Sequence, residues 1–149
     1  MTFLFKAKVK HNGNHLFSGD WVQGSLIKKT KGYFIYVIEE DDLGNVVREF
    51  EVEVIPETVC QFTGEFDKDG NNIFNGDICE SSYYNTPLAY SKEKPSYTYL
   101  NQVVEFSVGC FILRNMEEHD DWKKSIRNKT ELYYIKYTLT IKVIGNIHD

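Results

Sequence analysis

Apolar and polar residues alternate with a period of two along most of the chain. Phe3, Phe5, Ala7 and Val9 interleave with Leu4, Lys6, Lys8 and Lys10, the pattern of a strand with one dry face and one wet face. His11-Asn12-Gly13-Asn14 follows, and its Asn-Gly step tolerates positive φ, so a tight hairpin is expected there. A second strand runs through Trp21, Val22, Leu26 and Ile27, with Gly19 and Gly24 as bend or bulge points. Lys31-Gly32 turns the chain into 33–39, and Asp41-Asp42-Leu43-Gly44-Asn45 turns it again into 46–55. There Phe50, Val52 and Val54 oppose Glu49, Glu51 and Glu53, as expected of an antiparallel sheet wet on one face.

Pro56-Glu57-Thr58-Val59 predicts one helical or 3₁₀ turn, with Pro where its missing N–H costs nothing. Strands resume at 60–63, 73–74, 78–80, 102–108 and 111–114, and the longest is expected over 131–144. Two stretches break the period. Residues 83–99 carry five tyrosines and two prolines and read as a long loop or flexible hairpin. Residues 117–129 run acid-first and base-last, with Trp122 and Ile126 four apart, which suits a short surface helix. The expectation is a mainly β, antiparallel small barrel or roll with at most one or two short helices.

Composition narrows the class. The 149 residues are 42% hydrophobic and 26% charged, which excludes a disordered or fibrous chain. The longest apolar run, 33–38, is too short to cross a bilayer. Lys6 interrupts the apolar start, so no secretory signal is read and a cytoplasmic location is expected. Cys60, Cys79 and Cys110 are odd in number and widely spaced, matching neither a disulfide framework nor a zinc site. They read as small buried hydrophobes.

Charge is uneven. Residues 1–36 hold six lysines and one acid, 37–80 thirteen acids and two bases, and 81–149 nine bases and eight acids. The segments therefore carry +5, −11 and +1, summing to the formal −5. Most of this belongs on solvated strand faces, although the basic first third could meet the acidic middle within or between copies. Overall acidity disfavours a general nucleic-acid binder.

One segment echoes another. Residues 12–22 (NGNHLFSGDWV) and 69–79 (DGNNIFNGDIC) match at Gly13/Gly70, Asn14/Asn71, Phe17/Phe74, Gly19/Gly76 and Asp20/Asp77. Two copies of one hairpin device are expected, with Asp20 and Asp77 bonding the backbone N–H groups of their own bends. The competing reading, a pair of catalytic carboxylates in a small hydrolase, ranks last.

The run Pro56–Gly64, then Phe66-Asp67-Lys68-Asp69-Gly70 and Ile73–Ile78, resembles the YopX-like phage and prophage proteins. So do Phe17–Gly24 near the start and Val143-Ile144-Gly145-Asn146-Ile147-His148 at the end. Cys60 and Glu65 depart from the family's usual Gly and Leu, and 83–99 has no counterpart there. The resemblance implies a mostly β fold with an SH3-like barrel in the second half, a phage or prophage origin and self-assembly. It implies no reaction and no catalytic residues. Two lobes are expected, 1–56 and 57–149, which could form one continuous domain.

No phosphate-binding, nucleophile-elbow or metalloprotease motif is present. Asp67-x-Asp69-Gly70-Asn71 hints at a calcium loop, but its glycine comes too early, so a hairpin turn is expected. His11 and His15 are four apart across a turn and read as exposed rather than metal-binding. No metal and no cofactor are expected. Gly13, Gly19, Asp20, Gly64, Gly70, Gly76 and Asp77 are the expected turn and bend residues. Tyr83, Tyr84, Tyr90, Tyr97, Tyr99 and Trp122 are the candidate partner-binding residues, being types enriched in interface hot spots. The function expected is a non-enzymatic accessory protein that self-assembles and binds a host or phage protein. A nucleic-acid-binding barrel using the basic first third is the alternative.

Overall fold

A computed structural model describes residues 3–85, 96–107, 109–116, 129–131 and 140–149. Its strands are β1 (Phe5–Lys8), β2 (Trp21–Lys29), β3 (Gly32–Glu40), β4 (Val46–Val54), β5 (Cys60–Phe66), β6 (Asn72–Phe74), β7 (Asp77–Asn85), β8 (Ser96–Ser107), β9 (Cys110–Asn115), β10 (Lys129–Glu131) and β11 (Thr140–Asn146). A 3₁₀ turn at Pro56–Thr58 is the helical element among the described residues. The strands form two antiparallel sheets. No helix among the described residues is long and apolar enough to cross a membrane.

The chain divides into two compact units, Met1–Phe62 and Thr63–Asp149. In the first, β1 to β4 pair in sequence. Alternation sends Ala7, Val9, Val22, Ile35, Val52 and Val54 into one buried cluster. The same alternation leaves the glutamates of β4 on the opposite side. Val9 bridges Val54, the Lys10 N–H donates to the Glu53 carbonyl at 3.0 Å, and the Ile55 N–H donates to the Lys8 carbonyl at 2.9 Å. The chain after β1 thus returns to the end of β4, and the sheet curls around its core without a full closing ladder.

Gly24 lies within β2, opposite Phe5, just where the strand passes from pairing β1 to pairing β3. A Cβ there would fall 2.0 Å from the Tyr36 carbonyl oxygen, so glycine permits a close backbone approach. The hairpin after β1 turns later than expected. Gly13 and Leu16 exchange hydrogen bonds at 3.0 and 2.9 Å, and the positive φ values fall on Asn14 (50°) and His15 (60°). Asn12 instead accepts the Ser18 N–H at 2.7 Å.

β5 crosses the unit boundary: Cys60 and Gln61 pair with β1, while the Thr63 hydroxyl donates to the Ile73 carbonyl at 2.8 Å. The second unit holds a sheet ordered β10-β9-β8-β7-β11. Ile73, Cys79, Val104, Leu113 and Ile141 form its core, flanked by Phe111 and Val143. The expected strand over 131–144 is not one strand. Its two ends lie in β10 and β11, which pair with β9 and β7 and occupy opposite edges of the sheet. The stretch 83–99 is a hairpin in its described parts, with Tyr83 opposite Thr98 and Tyr84 opposite Tyr97. The helix expected over 117–129 lies outside the described residues, except that Lys129 opens β10.

Candidate functional site

The two Gly-Asp bends share one geometry. Gly19 and Gly76 take φ values of +94° and +85°, where a side chain is strained. Asp20 Oδ2 accepts the Phe17 N–H at 2.8 Å, and Asp77 Oδ2 accepts the Phe74 N–H at the same distance. Each carboxylate is turned onto its own bend, Asp20 in the first unit and Asp77 in the second.

Burial separates the copies. Phe17 is 68% exposed, whereas Phe74 is 1% exposed and Asp77 is fully enclosed. The second oxygen of Asp77 accepts the Asn146 side-chain amide at 2.9 Å. Gly76 donates to the Val104 carbonyl at 2.8 Å, and its own carbonyl accepts the Ile147 N–H at 2.9 Å. The bend is therefore tied both to β8 and to the end of β11, the latter 71 residues further along the chain.

A groove of about 520 Å³ lies beside this junction. Asn75, Gly76, Phe106, Met116 and Ile147 line it, and Arg114 pairs with Glu105 at 2.7 Å within it. Phe106, Met116 and Ile147 are 61%, 48% and 54% exposed, so its apolar wall faces solvent. Phe106 is steadied by an edge-on contact with Phe111, ring centroids 5.1 Å apart. Its N–H donates to Asn75 Oδ1 at 3.1 Å. The polar groups of the bend are thus engaged in hydrogen bonds within the fold, and the groove sets exposed apolar side chains beside an ion pair and the polar residues Asn75 and Ser107.

Residues 5–149 match the protein family described as YopX protein. The chain belongs to the YopX family. No curated protein matches it.

In this YopX chain the two hairpins β3–β4 and β5–β6 are closed by a duplicated turn, Asp41-Asp42-Leu43-Gly44-Asn45 and Asp67-Lys68-Asp69-Gly70-Asn71. Asp41 Oδ1 accepts the N–H groups of Leu43 and Asn45, both at 2.9 Å. Asp67 Oδ1 accepts those of Asp69 and Asn71, at 2.9 and 2.8 Å. The Asn side chain donates to Oδ2 in both, at 3.0 and 3.1 Å, and Gly44 and Gly70 have φ values of +79° and +85°. The Asn45 side-chain bond, with the backbone bonds, holds the Asp41 carboxyl below its ordinary range. Burial pushes the Asp67 carboxyl up, but bonds from the Asn71 side chain and from the N–H groups of Asn71, Val143 and Asp69 outweigh it and hold it low. The Asp67 oxygens face N–H donors, as a turn requires and a cation site does not. No group of three metal-ligating side chains occurs among the described residues.

The remaining candidates scatter. Gly64 has a φ of +90° within β5, and Gly13 sits at the edge of the Asn14–His15 turn without positive φ. Tyr99 is 63% exposed, opposite Ser82 in the ladder. Tyr83, Tyr84 and Tyr97 occupy ladder positions, and Tyr90 and Trp122 lie outside the described residues. His11 and His15 face glutamates, His11 at 3.9 Å from Glu53 and His15 at 3.1 Å from Glu39. Lys10 pairs with Glu53 at 2.6 Å, and Lys29 pairs with Glu51, so part of the basic first third does meet the acidic middle within the first unit. Lys6 and Lys8 lie over the Trp21 ring, 4.9 and 5.3 Å from its centre. The groove residues Phe106, Met116 and Ile147 were missed by sequence reasoning. Nothing local marks them, because the groove forms from segments distant in the chain. The turn duplication was missed although its signal, two D-x-x-G-N runs 26 residues apart, is visible in the sequence.

Proposed function

We propose that this chain is a phage or prophage accessory protein that acts by binding, not by catalysis, within the host cytoplasm. It assembles with itself and docks a host or phage protein. The observation that carries this reading is the groove, where three large apolar side chains remain exposed around one concavity of the second unit. The carboxylates most open to a catalytic reading, Asp20 and Asp77, are committed to their own backbones. Affinity capture from host lysate identifies a partner, which is then purified and titrated against native, Met116→Asp and Glu57→Gln chains. Met116→Asp should weaken binding about tenfold or more, as loss of an interface anchor does, while Glu57→Gln leaves it unchanged. Equal affinity of all three chains would overturn the reading. Light scattering on the native chain tests self-assembly, and a monomer mass removes that part alone.

A second reading has one observation in its favour. The placing of Lys6 and Lys8 on Trp21, with Lys28 and Lys29 over Tyr33 and Phe34 at 5.6 and 4.8 Å, interleaves charge and rings as single-strand binders do. Mobility of single- and double-stranded DNA with the chain across a salt series decides it. Tight, steeply salt-dependent binding that Lys6→Gln and Lys8→Gln flatten would favour nucleic acid.

A further inference from the structure

Among the described residues, the duplicated turn is seated on a strand in one place and not in the other. At the second copy the Lys68 N–H donates to the Ile141 carbonyl at 2.9 Å, and Asp67 Oδ2 accepts the Val143 N–H at 3.2 Å. The carboxylate of Asp69 lies 3.8 Å from the ammonium of Lys142, the residue between them. The turn thus grips the edge strand β11 through one donor and one acceptor, and its third side chain meets the strand residue in the middle. That arrangement covers a free sheet edge, which otherwise invites pairing.

The first copy has the same backbone bonds, with Asp42 in the place of Lys68 and Leu43 in the place of Asp69. No described strand is seated on it. Leu43 is 86% exposed, and Ile38, Val46 and Val47 on the strands leading into and out of the turn are 51%, 56% and 63% exposed. Glu40 and Asp42 flank this apolar tip with negative charge.

We propose that the Asp41–Asn45 turn docks on the free edge strand of a β-sheet in a partner protein. An aliphatic residue of that strand packs on Leu43, where β11 offers Lys142 to Asp69. Lysines or arginines on either side of that residue face Glu40 and Asp42. The β11 strand of a second copy is the poorer occupant, since it carries a lysine at the central position and is gripped by its own turn. This surface is independent of the groove, and Met116→Asp leaves it intact.

The test uses two synthetic cyclic β-hairpin peptides, each with one free edge of sequence Lys-Ile-X-Val-Lys, where X is Leu or Lys. Each is titrated into the full-length ¹⁵N-labelled chain. The X = Leu peptide should give saturable shifts at the Asp42 and Leu43 amides and slow exchange of the Asp42 N–H. Leu43→Asp keeps the turn, since Asp69 occupies that position in the other copy, and should reverse the preference between peptides by about tenfold. Absence of saturable shifts at millimolar peptide, or unchanged preference in Leu43→Asp, overturns the proposal. So does a dimer of the chain alone that Leu43→Asp dissociates, which makes a second copy the occupant.

Discussion

Replacing Asp77 by Ala removes two acceptors from a site with no access to water. The Phe74 N–H and the Asn146 amide lose these bonds of 2.8 and 2.9 Å, and the carboxylate that made them is fully enclosed. Each buried bond lost without replacement costs about 1–3 kcal/mol, so the two cost about 2–6 kcal/mol. That is a large share of the ~5–15 kcal/mol that stabilises an ordinary domain. Asp20 makes the equivalent bond to Phe17 on an exposed bend, where water replaces a lost acceptor. Asp20→Ala should therefore cost only about 0.5–1.5 kcal/mol. Residue-resolved hydrogen exchange is the suitable assay, because two units need not unfold together and each is read from its own core amides. Asp77→Ala should lower protection at Val104 and Leu113, and Asp20→Ala should lower it slightly at Val22 and Ile35. Equal losses in the two units, or an Asp77→Ala loss below about 1 kcal/mol, would refute the assignment of Asp77 as the buried tie of its bend.

Other consequences follow from the same geometry. Gly76→Ala should cost more than Gly64→Ala in chemical denaturation. Both glycines have positive φ, worth about 1–2 kcal/mol to a side chain. Only at Gly76 does a Cβ also press on Ile147, at 3.3 Å, whereas nothing lies within 4 Å at Gly64. The low folded-state pKa of Asp67 means that the folded chain binds fewer protons than the unfolded chain near and below the ordinary carboxyl range. Its contribution is thus complete above the unfolded value and is lost as pH falls through the folded one, and Asp67→Asn should flatten the acid limb of a stability–pH curve. Phe106→Ala should destabilise by no more than about 1.5 kcal/mol, the scale of one aromatic pair, since the ring is largely exposed and packs on Phe111. Thermal unfolding of that variant checks it.

Several elements could be read without coordinates because they depend on neighbours in the chain. The alternation in β4 assigns Val52 and Val54 to the core and its glutamates to water, since a strand reverses its side chains at every residue. Pro56 marks its 3₁₀ turn by its own ring geometry. The Gly-Asp bends were visible as a repeated string, as was the pairing of each Asp with its own bend. The close backbone approach at Gly24 could not be read locally, because it is set by the Tyr36 carbonyl on another strand. The split of 131–144 between two sheet edges was hidden for the same reason, since the edge each end joins is set by its pairing with β9 or β7.

The order of residues alone decided which positions face inward, where the chain turns and which carboxylates hold those turns. These are short-range consequences of strand periodicity and of the few residues that accept positive φ. Only the tertiary structure decided which of two equivalent bends is buried, which of two equivalent turns is seated on a strand and where an apolar groove opens. Those outcomes rest on contacts such as Asp77 with Asn146 and Asp67 with Val143. Chain segments about 70 residues apart meet there through packing, and burial then sets how much each identical local bond is worth.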